Sequence, residues 1–244
     1  MKLLPAVGTK TAVEPSLRVI RSTDSKWSPV SETAAPVEKL AGTTTAAIYR
    51  RWGSKSDLVT RAVFRTDGVL LSGKLRRRLR NSGWTLRADT AFMQVVASCA
   101  APRKEQGGTW ITADMQRAYA QLHQLGIAHS IEVFAGERLV GGLFGLAFGH
   151  VFCGDSMYSA ESGASSLALT GLAWRLHAWG WPLIDAQVPN AHTRHLGVEI
   201  WSRATYLAAL ANLREHPDQP GLWRERFGEW NATDVLPSPS HPSA

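Results

Sequence analysis

The longest apolar run in this chain, Leu139 to Cys153, is broken by Gly141, Gly142, Gly145 and Gly149. It is shorter than the roughly 20 residues a membrane-spanning helix needs. The run Gly141-Gly142-Leu143-Phe144-Gly145 is also too short and wrongly placed for a dinucleotide-binding fingerprint, and hairpin glycines explain it better. His129 to Phe134 and Arg138 to Leu146 read as two strands around a Gly136-Glu137 turn, and Val151 to Gly154 as a third short strand. Helical patterns flank them. Asp89 is placed to cap a helix carrying Phe92, Val95, Val96 and Cys99 on one face. Thr112 is placed to cap another with Met115, Tyr119, Leu122 and Leu125, stopped by Gly126. Ala164 to Trp179 reads as a long apolar helix ended by Gly180, and Trp181 to Val188 as a strand. Ala191 to His195 and Ser202 to Leu213 follow as helices. The expected fold class is α+β, a mixed layer of helices on a largely antiparallel sheet.

Composition bounds the function. Hydrophobic residues make up 44% of the 244 residues, enough for a real core. Lys and Arg number 27 against 20 Asp and Glu, a net charge of +7 that suits a polyanionic partner. Cys99 and Cys153 are too few for a disulfide framework or a zinc site built on cysteines, and read as reduced thiols. Pro5 and Lys10 interrupt the apolar N-terminus before it reaches the roughly 7–15 residues of a signal-peptide core, so the expectation is a soluble cytoplasmic protein without membrane contact. Residues 1–60 are rich in Ser, Thr and Pro and read as a partly disordered or small helical region, residues 61–232 as the main domain, and 233–244, with Pro237, Pro239 and Pro242, as a disordered tail.

Four segments carry candidate chemistry. Gly107-Gly108-Thr109-Trp110 leads a flat indole to a helix entrance, where it either packs in a core or stacks on a nucleobase. Phe152 to Ser159 sets Asp155 at the end of an apolar strand, either as a turn residue or as a carboxylate facing a cation. Leu183-Ile184-Asp185-Ala186-Gln187 puts a carboxylate and an amide on one face of a strand, near its carboxyl end, as a structural pair or as part of a site. Lys74, Arg76, Arg77, Arg78 and Arg80 give five cations in seven positions, a solvated helix face or a set of phosphate contacts. The sequence contains no P-loop, H-E-x-x-H or G-x-S-x-G motif.

From about Arg61 to about Leu213, five of its segments occur in one order: Gly-Thr-Trp-Ile-Thr (108–112), Ala-His-Ser-Ile-Glu (128–132), Leu-Val-Gly-Gly-Leu-Phe-Gly (139–145), Phe-Cys-Gly-Asp-Ser-Met-Tyr-Ser (152–159) and Leu-Ile-Asp-Ala-Gln-Val (183–188). In these the chain resembles the bacterial leucyl/phenylalanyl-tRNA–protein transferase family. The resemblance implies a GNAT-like acyltransferase domain after a small N-terminal domain. It also implies transfer of Leu or Phe from aminoacyl-tRNA to proteins with N-terminal Arg or Lys, marking them for N-degron proteolysis, by a monomer that uses no metal or cofactor. Here Asp155 stands where the family carries the acidic residue of G-E-S-M, one methylene longer, and Ser166 where it carries a lysine. Ser56 to Thr60 replaces a tryptophan-rich stretch, with Arg61 alone fitting the family pattern.

The roles implied are Asp185 and Gln187 as catalytic residues and Asp155 as the acceptor contact. Trp110, Leu143, Phe152, Met157, Leu172 and Ile184 would hold the aminoacyl-adenosine, and Lys74, Arg76, Arg77, Arg78 and Arg80 the tRNA. A second resemblance lies at 38–63, where Ala41 to Lys55 is similar to the turn and recognition helix of TetR-type repressors. It makes a DNA-binding regulator the alternative, although Ser25 to Pro36 shows little apolar periodicity for the helix such a module requires.

Overall fold

A computed structural model of the protein describes residues 60–101, 109–216 and 221–236. All but the last residue of the expected N-terminal region, the glycine pair Gly107-Gly108 and all but the start of the expected tail lie outside these residues. So does the helix-turn-helix-like stretch up to residue 59; its last residues, 60–63, belong to a β-strand.

The strands are β1 (Thr60–Arg65), β2 (Thr85–Ala88), β3 (Ala128–Ala135), β4 (Arg138–Phe148), β5 (Val151–Ser159), β6 (Leu183–Gln187), β7 (Glu199–Ser202) and β8 (Trp230–Asn231). They form an eight-stranded sheet in the order β7-β1-β6-β5-β4-β3-β2-β8. Neighbours are antiparallel except β5 and β6, which run parallel because the helix α4 (Ala164–Ala178) carries the chain back between them. The remaining helices are α1 (Gly73–Arg80), α2 (Phe92–Ala100), α3 (Ala113–Gln124), α5 (Ala191–His195), α6 (Arg203–Leu213), α7 (Arg224–Phe227) and α8 (Ala232–Val235). The expected mixed α/β layering is what the described residues adopt.

The two faces of the sheet carry different layers. On one, α4 packs on Ile131, Leu143, Phe152 and Ile184, with Trp181 and Trp223 completing the largest cluster. On the other, Phe92, Val95 and Val96 of α2 and Tyr119 of α3 pack on Ala128 and Phe144. The glycines of β4 make this two-sided packing close. A Cβ on Gly141 would lie 2.4 Å from the Ala164 Cβ of α4, and one on Gly142 would lie 3.1 Å from a Val95 methyl of α2. The apolar run that opened the sequence reading is therefore a central strand stripped of side chains where helices press on it.

β5, expected to end at Gly154, runs on to Ser159 because β4 stays paired with it as far as Gly141, and two further boundaries differ from expectation. Asp89 does not cap α2, which starts at Phe92 with no side-chain cap. It is buried with φ 58°, and its carboxylate accepts from the backbone N–H of Ser130 (2.9 Å) and of Trp223 (2.6 Å) while meeting His129 Nδ1 at 2.8 Å. His129 in turn stacks on Trp223 with ring centroids 4.0 Å apart. A buried carboxylate needs donors, and Asp89 finds them across the sheet rather than at the helix end, which ties the C-terminal segment down. At the other boundary, α8 extends packed structure to Val235 and Leu236, both buried, slightly past the expected start of the tail at 233.

Gly141→Ala should lower stability by roughly 1–3 kcal/mol, because Ala164 is held on its own helix and cannot yield. Gly73→Ala, with open space around it at the first turn of α1, should be neutral or gain up to about 1 kcal/mol. Thermal unfolding of the two variants beside the parent checks both.

Candidate active site

The strand β6 stops where its own side chain turns it. The Asp185 carboxylate accepts the backbone N–H of Gln187 through Oδ1 at 2.7 Å, and Gln187 takes up a left-handed backbone with φ 63°. Asp and Asn side chains favour such local turns by offering the backbone an acceptor two residues on. Parallel pairing with β5 accordingly ends at the Cys153–Asp185 pair, while β5 continues to Ser159 with β4 alone as its strand partner on that stretch. The sheet splits between β5 and β6.

The Gln187 side chain spans the split. Its Nε2 donates to the Gly154 carbonyl at 3.2 Å and to Asp155 Oδ1 at 2.9 Å. Both partners are acceptors, so the amide is fixed with nitrogen toward β5 and oxygen away. Oε1 is buried with no hydrogen-bond partner among the described residues.

A cavity of about 840 Å³ occupies the split. Its apolar part is formed by Phe64, Ile184 and Phe152, a row running across β1, β6 and β5, together with Leu143, Met157, Leu169 and Leu172. Its polar part is formed by Asp155, Ser156, Tyr158 and Ser98 on one side and Asn190, His192 and Thr193 on the other. The lining comes from both faces of the sheet, since Met157 packs with the α4 layer and Tyr158 with the α2 layer. The first turn of α4 borders it at Gly163 and Ser165, where the Ser159 hydroxyl accepts the Ser165 backbone N–H at 2.9 Å.

Two tyrosines hold the carboxylates. Tyr119 of α3 donates to Asp155 Oδ2 at 2.7 Å, and Tyr206 of α6 donates to Asp185 Oδ2 at 2.8 Å. Burial raises the Asp185 pKa, opposed by the Arg61 charge and by the bonds from Tyr206 and the Gln187 backbone. Burial and the Asp185 charge push the Tyr206 phenol up, so it remains a donor at any working pH. Burial also raises Tyr158, and burial followed by the His195 charge lowers His192. Beneath Tyr158, in register across β5, β4 and β3, stand Gly142 and the fully buried Glu132. Glu132 is bonded to Ser130 Oγ and to the N–H (3.2 Å) and hydroxyl (2.9 Å) of Thr90, and burial raises its pKa to about 7 despite them.

Of the residues singled out in the sequence, Leu143, Phe152, Asp155, Met157, Leu172 and Ile184 line the one cavity, and Asp185 and Gln187 flank its lining residue Ala186. Trp110 is not among the lining residues: it is half-buried, edge-on to Tyr119 at 6.3 Å, and so reaches the site through the Tyr119–Asp155 bond. The cationic segment is helix α1, capped by Ser72. Its Lys74, Arg77 and Arg78 are exposed, Arg76 and Arg80 half-buried, and Leu75 lies against Gly163 at the border of the cavity. Sequence reading missed Tyr119 and Tyr206 as site residues, because each sits at an apolar helical position, as a core tyrosine would. It also missed Phe64, Leu169, Asn190 and His192, which carry no local signal.

The cleft has an apolar end and a polar side on which the Asp155 carboxylate is bonded to the Gln187 amide, an arrangement that can take an apolar group at one end and a polar or cationic group at the other. Comparison with known proteins gives the family. The family model for leucyl/phenylalanyl-tRNA protein transferase matches residues 63–211, and the chain belongs to that family of aminoacyltransferases. A leucyl/phenylalanyl-tRNA–protein transferase of Xanthomonas oryzae pv. oryzae (strain MAFF 311018) is 57% identical over 176 residues, covering 72% of this chain and 70% of the relative. One from Xylella fastidiosa (strain M23) is 49% identical over 177 residues, covering 72% and 73%. Among solved structures, one described as L-PGS from Bacillus licheniformis aligns at TM-score 0.40 and 14% identity over 66% of each chain. No helix among the described residues is long and apolar enough to cross a membrane.

Glu132 generates a pH prediction. Its folded pKa of about 7 lies above the unfolded value of about 4.3. Between those values the folded chain holds a proton that the unfolded chain has lost, so this group's contribution is full below about pH 4 and declines until about pH 7. Glu132→Gln removes the titration. Relative to the parent, it should gain roughly 3–4 kcal/mol on going from pH 4 to pH 8, read as urea midpoints at the two pH values.

Proposed function

We propose that the protein takes Leu or Phe from aminoacyl-tRNA and joins it to the N-terminal Arg or Lys of an acceptor protein, which is thereby marked for N-degron proteolysis. The observation that carries this reading is the Gln187 amide, clamped by its nitrogen to the cavity-lining Gly154 and Asp155, with its buried oxygen unpaired among the described residues. An orphaned buried acceptor costs free energy unless a ligand supplies the donor, and the acceptor's α-amine is such a donor. The reading extends to a GNAT-like domain, supported by the split between the parallel strands β5 and β6. It also extends to a monomer acting in the cytoplasm, with residues 1–60 as a separate N-terminal region.

The donor ester is already activated, so neither a covalent intermediate nor an added group is required of the protein. An α-amine with an unperturbed pKa of about 7.7–8.0 supplies a useful neutral fraction at pH 7. Its nitrogen attacks the ester carbonyl, the peptide bond forms, and the bond to the terminal ribose oxygen breaks. The proton lost by the amine ends on that oxygen. In this reading Gln187 Oε1 accepts an N–H of the amine and aims its lone pair, Asp185 holds Gln187, and Asp155 faces the cationic acceptor terminus. Leu143, Phe152, Met157, Leu172 and Ile184 enclose the Leu or Phe side chain, and Trp110 stacks near the terminal adenosine. A pocket of this kind separates side chains differing by one methylene by only ~1–3 kcal/mol.

Gln187→Ala should lower kcat for transfer to an Arg-starting peptide by ~10²–10³, the scale of losing one preorganised donor or acceptor at a reacting centre. The assay is the mass gain of one leucine or phenylalanine on the peptide, and parent-like rates would remove Gln187 from the mechanism.

The α1 helix is assigned to the acceptor stem, through charge rather than base readout, since several tRNA species must serve. Replacing Arg76, Arg77 and Arg78 together by Gln should weaken tRNA binding and flatten its salt dependence, because fewer counterions are released. Transfer from a minimal aminoacyl-adenosine donor should hardly change. An unaltered salt slope with full-length tRNA would reduce the arginines to a solvated face.

A further inference from the structure

Asp185 has little freedom to meet a substrate itself. It is 3% exposed, one carboxylate oxygen receives the Gln187 backbone N–H at 2.7 Å, and the other receives the Tyr206 hydroxyl at 2.8 Å. The first bond belongs to the turn that puts Gln187 in its left-handed conformation; the second comes from a different element, α6, twenty-one residues further on. Tyr206 is itself anchored. Its ring is 6% exposed and packs with Val63, Val151 and Leu183, and the Arg61 guanidinium lies 5.4 Å from its centroid. One rigid phenol thus fixes the carboxylate, the carboxylate fixes the turn, and the turn aims the amide.

We infer that Tyr206 is a positioning residue for transfer, locking the Asp185 carboxylate in the rotamer that keeps Gln187 Oε1 presented to the acceptor amine. The inference rests on the proposed function and deepens it by assigning the outer member of the chain Tyr206–Asp185–Gln187. Without the phenolic hydroxyl, Asp185 can swing off the Gln187 N–H, and the amide then samples orientations other than the one bonded to Gly154 and Asp155. Tyr206 is not among the residues lining the cavity, so binding of both substrates should be unaffected. Preorganisation of a reacting group depends on such outer partners.

The test is Tyr206→Phe, which keeps the ring and its packing and removes only the oxygen. Expected is a fall in kcat of about tenfold, the scale of one hydrogen bond to an ionised carboxylate, with KM for aminoacyl-tRNA and for the Arg-starting peptide unchanged. Asp185→Asn combined with Tyr206→Phe should be no slower than Asp185→Asn alone, because the hydroxyl acts only through the carboxylate. A pH signature follows as well. The acceptor amine imposes a slope of one on log kcat below about pH 7.7, and the profile steepens further where Asp185 takes up a proton. The Tyr206 bond and the Arg61 charge both favour the ionised form, so that break should move to higher pH in Tyr206→Phe. If Tyr206→Phe does not fold, Arg61→Gln reads the same break, with the same upward displacement expected. Parent-like kcat and an unmoved break in the folded variant, with Asp185→Asn inactive, would overturn the positioning role. Full activity in Asp185→Asn would instead overturn the reading of the site on which it rests.

Discussion

A single hydrogen bond, from the Gln187 backbone N–H to the carboxylate two residues before it, organises the centre of this molecule. It ends β6 at a fixed residue, still paired with β1, while β5 runs on, and the cavity lies where two strands that begin as parallel neighbours part company. Everything useful at the site is then a matter of what spans the gap. The Gln187 amide spans it directly, and Tyr119 and Tyr206 brace the two carboxylates from helices packed on the sheet. Had β6 continued in register, Asp185 and Gln187 would be two side chains on a covered sheet and the apolar row Phe64–Ile184–Phe152 would be ordinary core.

The parts of the fold that could be read from the sequence are those whose signal is local. The Gly136-Glu137 hairpin, the Thr112 cap with its bond to the Met115 N–H, and the helix from Ala164 all stand where the pattern puts them. The short strands β1, β2, β7 and β8 could not be read, since two to six residues show no usable period and become strands only through their partners. Asp89 shows the same limit from the other side. A carboxylate three residues ahead of an apolar helix looks like a cap, and only the distant Ser130, His129 and Trp223 reveal it as a buried tether.

At the site, sequence and structure divide the work in a similar way. Asp155, Asp185 and Gln187 were visible as polar residues in apolar strands, and the structure joins Asp155 to Gln187 and Gln187 to Asp185. The tyrosines that complete the chain were not visible, because at helical spacing a buried tyrosine is indistinguishable from any other large core residue until its hydroxyl is seen to have a partner. Trp110, read from the sequence as a stacking residue, lies edge-on to Tyr119, whose hydroxyl is bonded to the cavity-lining Asp155.

The split also gives the sheet something that sheets usually have only at their margins. Beyond Cys153, β5 has no strand on its β6 side, so part of a strand edge lies in the interior of the molecule. An exposed edge is a hazard, since any other extended chain can add to it. Here α4 covers one face and α2 the other, and the edge borders the cavity. Among the described residues, this unpaired stretch of strand lies between two layers of helix rather than at the margin of the sheet.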